Sequence, residues 1–185
     1  LSGTLERNHE SVTAPNRGEN TLLHQLYLLR HAKSDWKQAV VSDFERPLSK
    51  RGQIDAPRMA TWLTKQDNIP TAIISSPALR AYQTAMIFAG ALHIPVKNIQ
   101  VDKRIYEASL ETLLEVITTL PEQAQSVLLV GHNPGLDCLL TTLCREAKPG
   151  IDGKLMTTCA VARITVDARW RDITIDQRCK LHSLS

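Results

Sequence analysis

Two histidines in this chain each follow directly on an apolar, strand-like run of residues. His31 follows the run 25–30, and His132 follows the run 127–131. A third apolar run covers 72–75. In sheets of parallel strands, ligands bind at the carboxyl ends of the strands. If the three runs are neighbouring parallel strands, both imidazoles lie in one crevice at that end of the sheet.

Between and after these runs, strand-like and helix-like patterns alternate. Pro57, inside the first helical pattern, predicts a kink or a late start. The last two strands, joined by Asp167-Ala168-Arg169, form a hairpin and so add an antiparallel edge strand. The predicted fold is α/β, a three-layer α/β/α sandwich with a mainly parallel mixed sheet. The predicted helices span about 50–66, 77–91, 110–119 and 134–144, and the further strands 99–101, 158–166 and 170–175.

Two dipeptides place helix N-termini directly after strand ends. In Ser76-Pro77 and in Asn133-Pro134, a polar residue suited to the N-cap precedes a proline suited to the first helical position. Helix N-termini present free N–H groups and partial positive charge, which favour phosphate. Arg80 then falls in the first turn of its helix, from which its side chain points back toward the crevice. The sequence therefore predicts an oxyanion site, above all for a phosphoryl group.

Length and composition limit the remaining possibilities. A chain of 185 residues is long enough for one domain with a sizeable core, which we place at residues 21–185. Residues 1–20 are polar and without periodicity, and predict a flexible lead outside the fold. A formal charge of +3 and 4% aromatic residues do not favour a nucleic-acid partner. No apolar run approaches the roughly 20 residues of a membrane helix, so we expect no membrane partner.

The cysteines predict a reducing compartment. They form no C-x-x-C pair, and three of the four lie in apolar runs, which predicts buried, reduced thiols. Such usage is typical of a cytoplasmic protein.

Other ways of cleaving a phosphoryl group leave signatures that this chain lacks. A cysteine phosphatase needs an arginine six residues after its cysteine, and none of the four cysteines has one. A D-x-D nucleophile motif, a G-x-x-x-x-G-K-[ST] loop and paired metal-ligand clusters are also missing from the sequence. A histidine nucleophile that needs neither a metal nor a cofactor remains.

Three motifs resemble those of the histidine phosphatase superfamily, which has the phosphoglycerate-mutase-like fold. Leu29-Arg30-His31-Ala32 resembles its Arg-His-Gly signature, and the stretch 75–84 resembles its second motif, which carries a phosphate-binding arginine. Gly131-His132-Asn133-Pro134 resembles its third motif, which carries a second catalytic histidine. The resemblance spans most of residues 25–180. The short length and the pattern Asp43-x-x-Arg46-Pro47-Leu48-Ser49-x-x-Gly52 are similar to the small phosphohistidine phosphatase (SixA-like) branch.

The resemblance implies a phosphatase that works through a covalent phosphohistidine. His31 would attack phosphorus, and His132 would be the second catalytic histidine. Glu107 falls where the family often places a proton donor. The implied phosphate-binding residues are Arg30, Arg46, Arg80 and His132, and the loop residues expected to border the site are Lys33, Ser34, Trp36 and Lys37.

Two departures from the family pattern carry expectations of their own. Ala32 stands where the first motif has glycine, so a positive φ there would be strained. Only 52 positions separate Arg80 from His132, too few for the long lid of larger relatives. We therefore expect an open, shallow site, which suits a phosphate displayed on a protein.

Three functions stay open from the sequence. The first is a phosphatase for a phosphohistidine-bearing phosphocarrier or signalling protein. The second is a phosphomonoesterase for small metabolites on the same fold. The third is a phosphate-binding regulatory module without turnover.

Overall fold

The structure is a computed structural model that describes residues 23–36, 42–150, 153 and 155–185. The predicted lead, residues 1–20, and Lys37 lie outside the described residues. The strands are β1 (His24–Arg30), β2 (Ala72–Ser75), β3 (Gln100–Val101), β4 (Ser126–Gly131), β5 (Val161–Val166) and β6 (Lys180–Leu184). The α-helices are α1 (Lys50–Leu63), α2 (Leu79–Ala91), α3 (Leu110–Thr118) and α4 (Gly135–Leu143).

The six strands form one sheet in the order β3-β2-β4-β1-β5-β6. β1 and β2 both pair in parallel with β4, and β3 pairs in parallel with β2. β5 runs antiparallel to β1, and β6 runs antiparallel to β5 at the edge. The sheet is therefore mixed and mainly parallel, as predicted.

Two apolar clusters cover the two faces of the sheet. Leu26 and Leu28 of β1 pack with the buried side chains of α3 and α4. Tyr27 and Leu29 of the same strand pack with those of α1 and α2. This alternation arises because successive side chains of a strand point to opposite faces. The three-layer α/β/α arrangement predicted from the sequence is thereby confirmed.

The strand predicted at 170–175 is wrong. A short 3-10 helix, Trp170–Asp172, lies there instead. Trp170 is fully buried, and its indole Nε1 donates a hydrogen bond to the carbonyl of Ala124 at 2.9 Å. The alternating pattern came from this buried turn, and the edge strand forms later, at β6.

The two predicted N-caps are also wrong. α2 begins at Leu79, and α4 begins at Gly135. Their N-cap residues are Ala78 and Pro134, and neither makes a side-chain capping bond. α2 therefore begins three residues after Ser76, and α4 begins two residues after Asn133.

α1 packs its first turn against the loop that follows β1. It begins at Lys50, so the late start suggested by Pro57 is wrong. Ser49 caps it by accepting the N–H of Gly52 at 3.1 Å, and the Ser49 hydroxyl donates to the carbonyl of Lys33 at 3.0 Å. A Cβ atom on Gly52 would overlap that same carbonyl oxygen. Glycine at position 52 thus lets the helix hold the loop.

Candidate active site

The carboxyl ends of β1, β2 and β4 bring three buried side chains together. His31 follows β1, His132 follows β4, and Arg80 reaches them from the first turn of α2. The ring centroids of the two histidines lie 5.1 Å apart. The exposed fractions of His31, Arg80 and His132 are 8%, 5% and 9%. The crevice expected from the strand ends is present.

The hydrogen bonds of His31 fix which ring nitrogen carries the proton. Nδ1 lies 2.8 Å from the carbonyl oxygen of Ala32, which can only accept, so Nδ1 is the N–H donor. Nε2 lies 3.3 Å from Nε of Arg80, which can only donate, so Nε2 holds a lone pair. Burial lowers the pKa of His31 to about 4, and the nearby arginine charges act in the same direction. The imidazole is therefore neutral at neutral pH, as a nucleophile must be.

His132 has the opposite tautomer. Nδ1 lies 3.5 Å from Nη2 of Arg80, which can only donate. Nε2 is therefore the N–H donor, and it lies 2.8 Å from the hydroxyl of Ser76. Burial, together with His31 and the charge of Arg80, lowers the pKa of His132 to about 3. The ring of Tyr106 packs edge-on against His132, with the centroids 5.6 Å apart.

Asp43, from a short 3-10 helix (Asp43–Glu45), joins two of the predicted phosphate-binding arginines. Arg80 donates to it twice, from Nη1 to the backbone carbonyl at 2.6 Å and from Nη2 to Oδ2 at 2.9 Å. Arg46 donates to Oδ1 from Nε at 2.7 Å and from Nη2 at 2.6 Å. Burial alone would raise the pKa of Asp43, but the hydrogen bonds and charges of Arg46 and Arg80 outweigh it and lower the pKa. Sequence reasoning missed this carboxylate, although it is the first residue of the branch pattern.

Arg30 brings an unsatisfied donor to the same end of the sheet. Its Nη1 donates to the carbonyl of Met156 at 2.8 Å, whereas its Nε is buried without a hydrogen-bond partner. Burial lowers the pKa of Arg30, and the charge of Asp137 opposes that shift. Buried polar groups are almost always hydrogen-bonded, so the orphaned Nε fits a residue that awaits an anion.

A cavity of about 560 Å³ lies beside His132 and Arg80. Glu107 forms part of its wall, with an exposed side chain and a φ of 52°, a conformation that is uncommon outside glycine. The structure therefore brings Glu107 to the site, and its part in proton transfer stays a prediction. The cavity is lined by Asp43, Arg80, Glu107, Ala108, Ser109, His132, Asn133, Pro134 and Gly135.

The expected strain at Ala32 is not observed. Its φ is not among the positive values, and its N–H donates to the hydroxyl of Thr84 at 3.1 Å. The fully described segment from Arg80 to His132 holds no inserted lid, and the side chain of His31 is buried. That the site is open and shallow stays a prediction.

The loop after His31 borders the site through Arg46. The hydroxyl of Ser34 accepts a hydrogen bond from Nη1 of Arg46 at 2.7 Å. The guanidinium of Arg46 also lies over the ring of Trp36, 3.5 Å from its centroid, and that ring is 71% exposed. Lys33 contributes its carbonyl to the start of α1. These contacts order the loop beside the buried arginine.

Within the described ranges, no group of three or more His, Cys, Asp or Glu side chains is placed to hold a metal ion. The helices described are all too short or too polar to cross a bilayer. All four cysteines are free thiols, but Cys138 is exposed, so the expectation of buried thiols is wrong there.

Comparison with known proteins defines the class. The pattern of the histidine phosphatase superfamily (branch 1) matches residues 26–113. The chain is 30% identical over 124 residues to the phosphohistidine phosphatase SixA of Escherichia coli, covering 65% of this chain and 74% of SixA. It belongs to the histidine phosphatase superfamily, and this family and the fold identify it as a phosphatase enzyme.

Within that class, the chain is similar to the SixA-like branch. The structure of the protein histidine phosphatase SixA complexed with tungstate matches with a TM-score of 0.69 and 26% identity, covering 86% of this chain and 95% of that one. This match confirms the phosphoglycerate-mutase-like fold. An uncharacterized chloroplastic protein of Arabidopsis thaliana is 41% identical over 64 residues, which are 35% of this chain. That match spans only 29% of the plant protein.

Proposed function

We propose that this phosphatase hydrolyses phosphohistidine on a phosphocarrier or signalling protein, through a phosphohistidine formed on His31. The observation that carries the proposal is the pair of contacts that fix the His31 ring. The carbonyl of Ala32 accepts a hydrogen bond from Nδ1–H, so the lone pair is on Nε2 and faces Arg80. A neutral imidazole aimed at an anion-binding group of side chains is suited to attack phosphorus.

Positive charge around Nε2 supports the binding of the phosphoryl group. We assign its oxygens to Arg30, Arg80 and His132, with Arg46 as a further contact. Arginine forms charge-assisted, often bidentate bonds with phosphate, and such bonds are the strong ones. The structure of SixA complexed with tungstate supports the binding of an oxyanion by a protein of this fold.

The reaction then has two steps. In the first, Nε2 of His31 forms a bond to phosphorus while the bond to the substrate nitrogen breaks. The phosphorylated ring keeps its Nδ1 proton on the carbonyl of Ala32. In the second step, water attacks phosphorus, the new P–N bond breaks, and His31 returns to its neutral form. Positioning and electrostatic stabilisation supply most of the acceleration in such transfers.

Glu107 is the group that we assign to proton transfer. It lies in the cavity wall with His132 and Arg80. The P–N bond of phosphohistidine is labile, so its imidazole leaving group asks less of a general acid than a sugar alcohol does. We place the reaction in the cytoplasm, where the four free cysteines stay reduced.

The test compares two substrates in the presence of a chelator. Phosphate release from a phosphohistidine-bearing phosphocarrier protein is measured beside hydrolysis of p-nitrophenyl phosphate. We expect kcat/KM to be at least about 10²-fold higher on the protein. Turnover of the ester without turnover of the protein would instead indicate a metabolite phosphatase. Phosphate binding without turnover of either would indicate a regulatory module.

A further inference from the structure

A carboxylate in a phosphate site needs an explanation, because it repels the substrate. Asp43 lines the cavity beside His132, and its two oxygens accept bonds from Arg80 and Arg46. Both arginine side chains are buried, with exposed fractions of 6% and 8%, whereas the Asp43 side chain is 44% exposed. The carboxylate is therefore the most exposed of these three side chains, and it lies where the two buried arginines meet the cavity wall.

The chemistry of the leaving group gives such a carboxylate a use. A phosphohistidine ring has a second nitrogen, distal to the P–N bond. When the distal nitrogen carries a proton, cleavage of the P–N bond releases neutral imidazole, and the leaving nitrogen itself needs no proton. A serine or sugar phosphate has no such nitrogen, and its oxygen must be protonated as it leaves.

We infer that Asp43 accepts a hydrogen bond from the distal N–H of the leaving imidazole and thereby selects phosphohistidine over phosphate esters. The inference rests on the proposed function and names a specificity-determining residue within it. The lone pair on Nε2 of His31 forms the new P–N bond, and the electron pair of the old bond stays on the leaving nitrogen. The distal proton remains on the departing ring, bound to Asp43.

The contacts of Asp43 leave room for this bond. Its Oδ1 accepts two short bonds from Arg46. Its Oδ2 accepts from Arg80 at 2.9 Å and, more weakly, from the hydroxyl of Tyr106 at 3.3 Å. The exposed Tyr106 bond is the one that an imidazolium N–H replaces most easily, because a bond to a charged donor is the stronger.

Two aromatic rings provide flat walls next to that oxygen. Phe44 and Tyr106 pack edge-to-face, with centroids 5.1 Å apart and an angle of 82° between the rings. Phe44 is 38% exposed, so its ring is open to a partner. Aromatic side chains favour edge-to-face and offset contacts with another ring. An imidazole leaving group can use these contacts, whereas the chain of a phosphoserine cannot.

The two arginines also decide which form of Asp43 is present. They lower its pKa, so the carboxyl group is ionised at neutral pH and acts only as an acceptor. In that form it stabilises a protonated imidazole and raises the share of substrate that carries the distal proton. It has no proton to give to an alkoxide. The arrangement thus helps one class of leaving group and not the other.

The experiment measures a ratio, so that a general loss of activity does not count as support. The ratio is kcat/KM for free phosphohistidine divided by kcat/KM for p-nitrophenyl phosphate. For Asp43→Asn, which keeps the shape but loses the charge, we expect the ratio to fall about 10- to 100-fold, the worth of one hydrogen bond to a charged group. Glu45→Gln is the matched control, because Glu45 lies in the same 3-10 helix and is bonded to Ser42 on the surface. Its ratio should stay within about threefold of that of the unchanged protein.

The outcomes separate this inference from the proposed function. If the unchanged protein shows no preference for phosphohistidine, the proposed function itself fails. If it does and Asp43→Asn loses activity on both substrates by the same factor, Asp43 only positions the arginines, and the inference is overturned. Asp43→Glu, which keeps the charge, should retain more of the preference than Asp43→Asn does; equal losses also overturn it. If Asp43→Asn does not fold, Asp43→Ser makes the same comparison.

Discussion

The hydroxyl of Ser76 lies 2.8 Å from Nε2 of His132, where β2 and β4 end side by side. A serine hydroxyl can donate or accept, whereas the guanidinium on the other side of the ring can only donate. Ser76 therefore accepts a hydrogen bond from Nε2–H. When a phosphoryl oxygen reaches Nδ1, the hydroxyl can turn and donate to Nε2, so that Nδ1 carries the proton toward the phosphate. Ser76 thus acts as a positioning residue that permits both tautomers.

Removing this hydroxyl should slow phosphoryl transfer. For Ser76→Ala we expect kcat/KM on p-nitrophenyl phosphate to fall about 10-fold, the worth of one buried hydrogen bond. Ser75→Ala is the matched control, because that buried hydroxyl donates to the neighbouring carbonyl of Ser76 at 2.9 Å and, among the described residues, makes no bond to His132. In this control, kcat/KM should fall by less than about threefold. Equal losses in the two variants would show that Ser76 has no particular role toward His132.

Covalent labelling should depend on His31. During turnover of a ³²P-labelled substrate, acid-labile and alkali-stable label should appear on the protein, as is typical of phosphohistidine. His31→Ala should lose the label and at least about 10³-fold in kcat. His132→Ala should still be labelled, but about 10²- to 10³-fold more slowly, because it loses one donor to the phosphoryl group. A labelled His31→Ala protein would disprove the proposed intermediate.

Stability should fall on mild acidification. The pKa values of His31 and His132 are lowered from 6.5 to about 4 and about 3 in the folded protein. Between pH 6.5 and those values, the unfolded chain binds protons that the folded chain does not, so the free energy of unfolding decreases as the pH falls. Each histidine contributes at most about 1.4 kcal/mol per pH unit. Denaturant titrations between pH 7 and 4.5 measure how steeply the free energy of unfolding changes with pH. This dependence should be shallower for the variant His132→Asn. The same pH dependence in both proteins would contradict the burial of a neutral ring.

The contact between α1 and the loop after His31 can be tested at one glycine. Gly52→Ala places a methyl group against the carbonyl of Lys33, which is backbone and cannot turn aside. We expect a loss of about 1–3 kcal/mol in the free energy of unfolding, together with lower activity. Gly90→Ala in α2 is the control, since nothing lies within 4 Å of the added atom. It should stabilise the protein by roughly 0.5–1 kcal/mol. Similar effects at both positions would show that the contact is unimportant.

Much of the site follows from local sequence. Parallel strands covered by helices are apolar along their length, so the ends of β1 and β4 are visible in the sequence, and His31 and His132 stand directly after them. Arg80 can be predicted because it lies in the first turn of the helix that follows β2. These positions depend on short stretches of chain and on the topology of the sheet.

The contacts of Asp43 and Tyr106, which sequence reasoning missed, depend on how the loops are folded against the sheet. Asp43 reaches Arg80 across 37 positions of sequence, and Tyr106 reaches Asp43 across 63. No local periodicity predicts either contact. A serine before a proline also fits the role of a helix cap, so the local sequence of Ser76 does not predict its bond to His132. Its hydroxyl accepts the N–H of Ala78 at 3.3 Å, but its shorter bond is to His132, which follows β4, far away in sequence.

Because β1 pairs with β4, the two histidines stay together until these two strands separate. Arg30 stands opposite Gly131 in the register, so the two histidines leave the sheet at the same level. These strands are the two innermost of the six, and both are largely buried. Fraying of the outer strands leaves the imidazoles together, and only parting of the central pair separates them. Inactivation by denaturant should therefore coincide with the global transition and should not precede it.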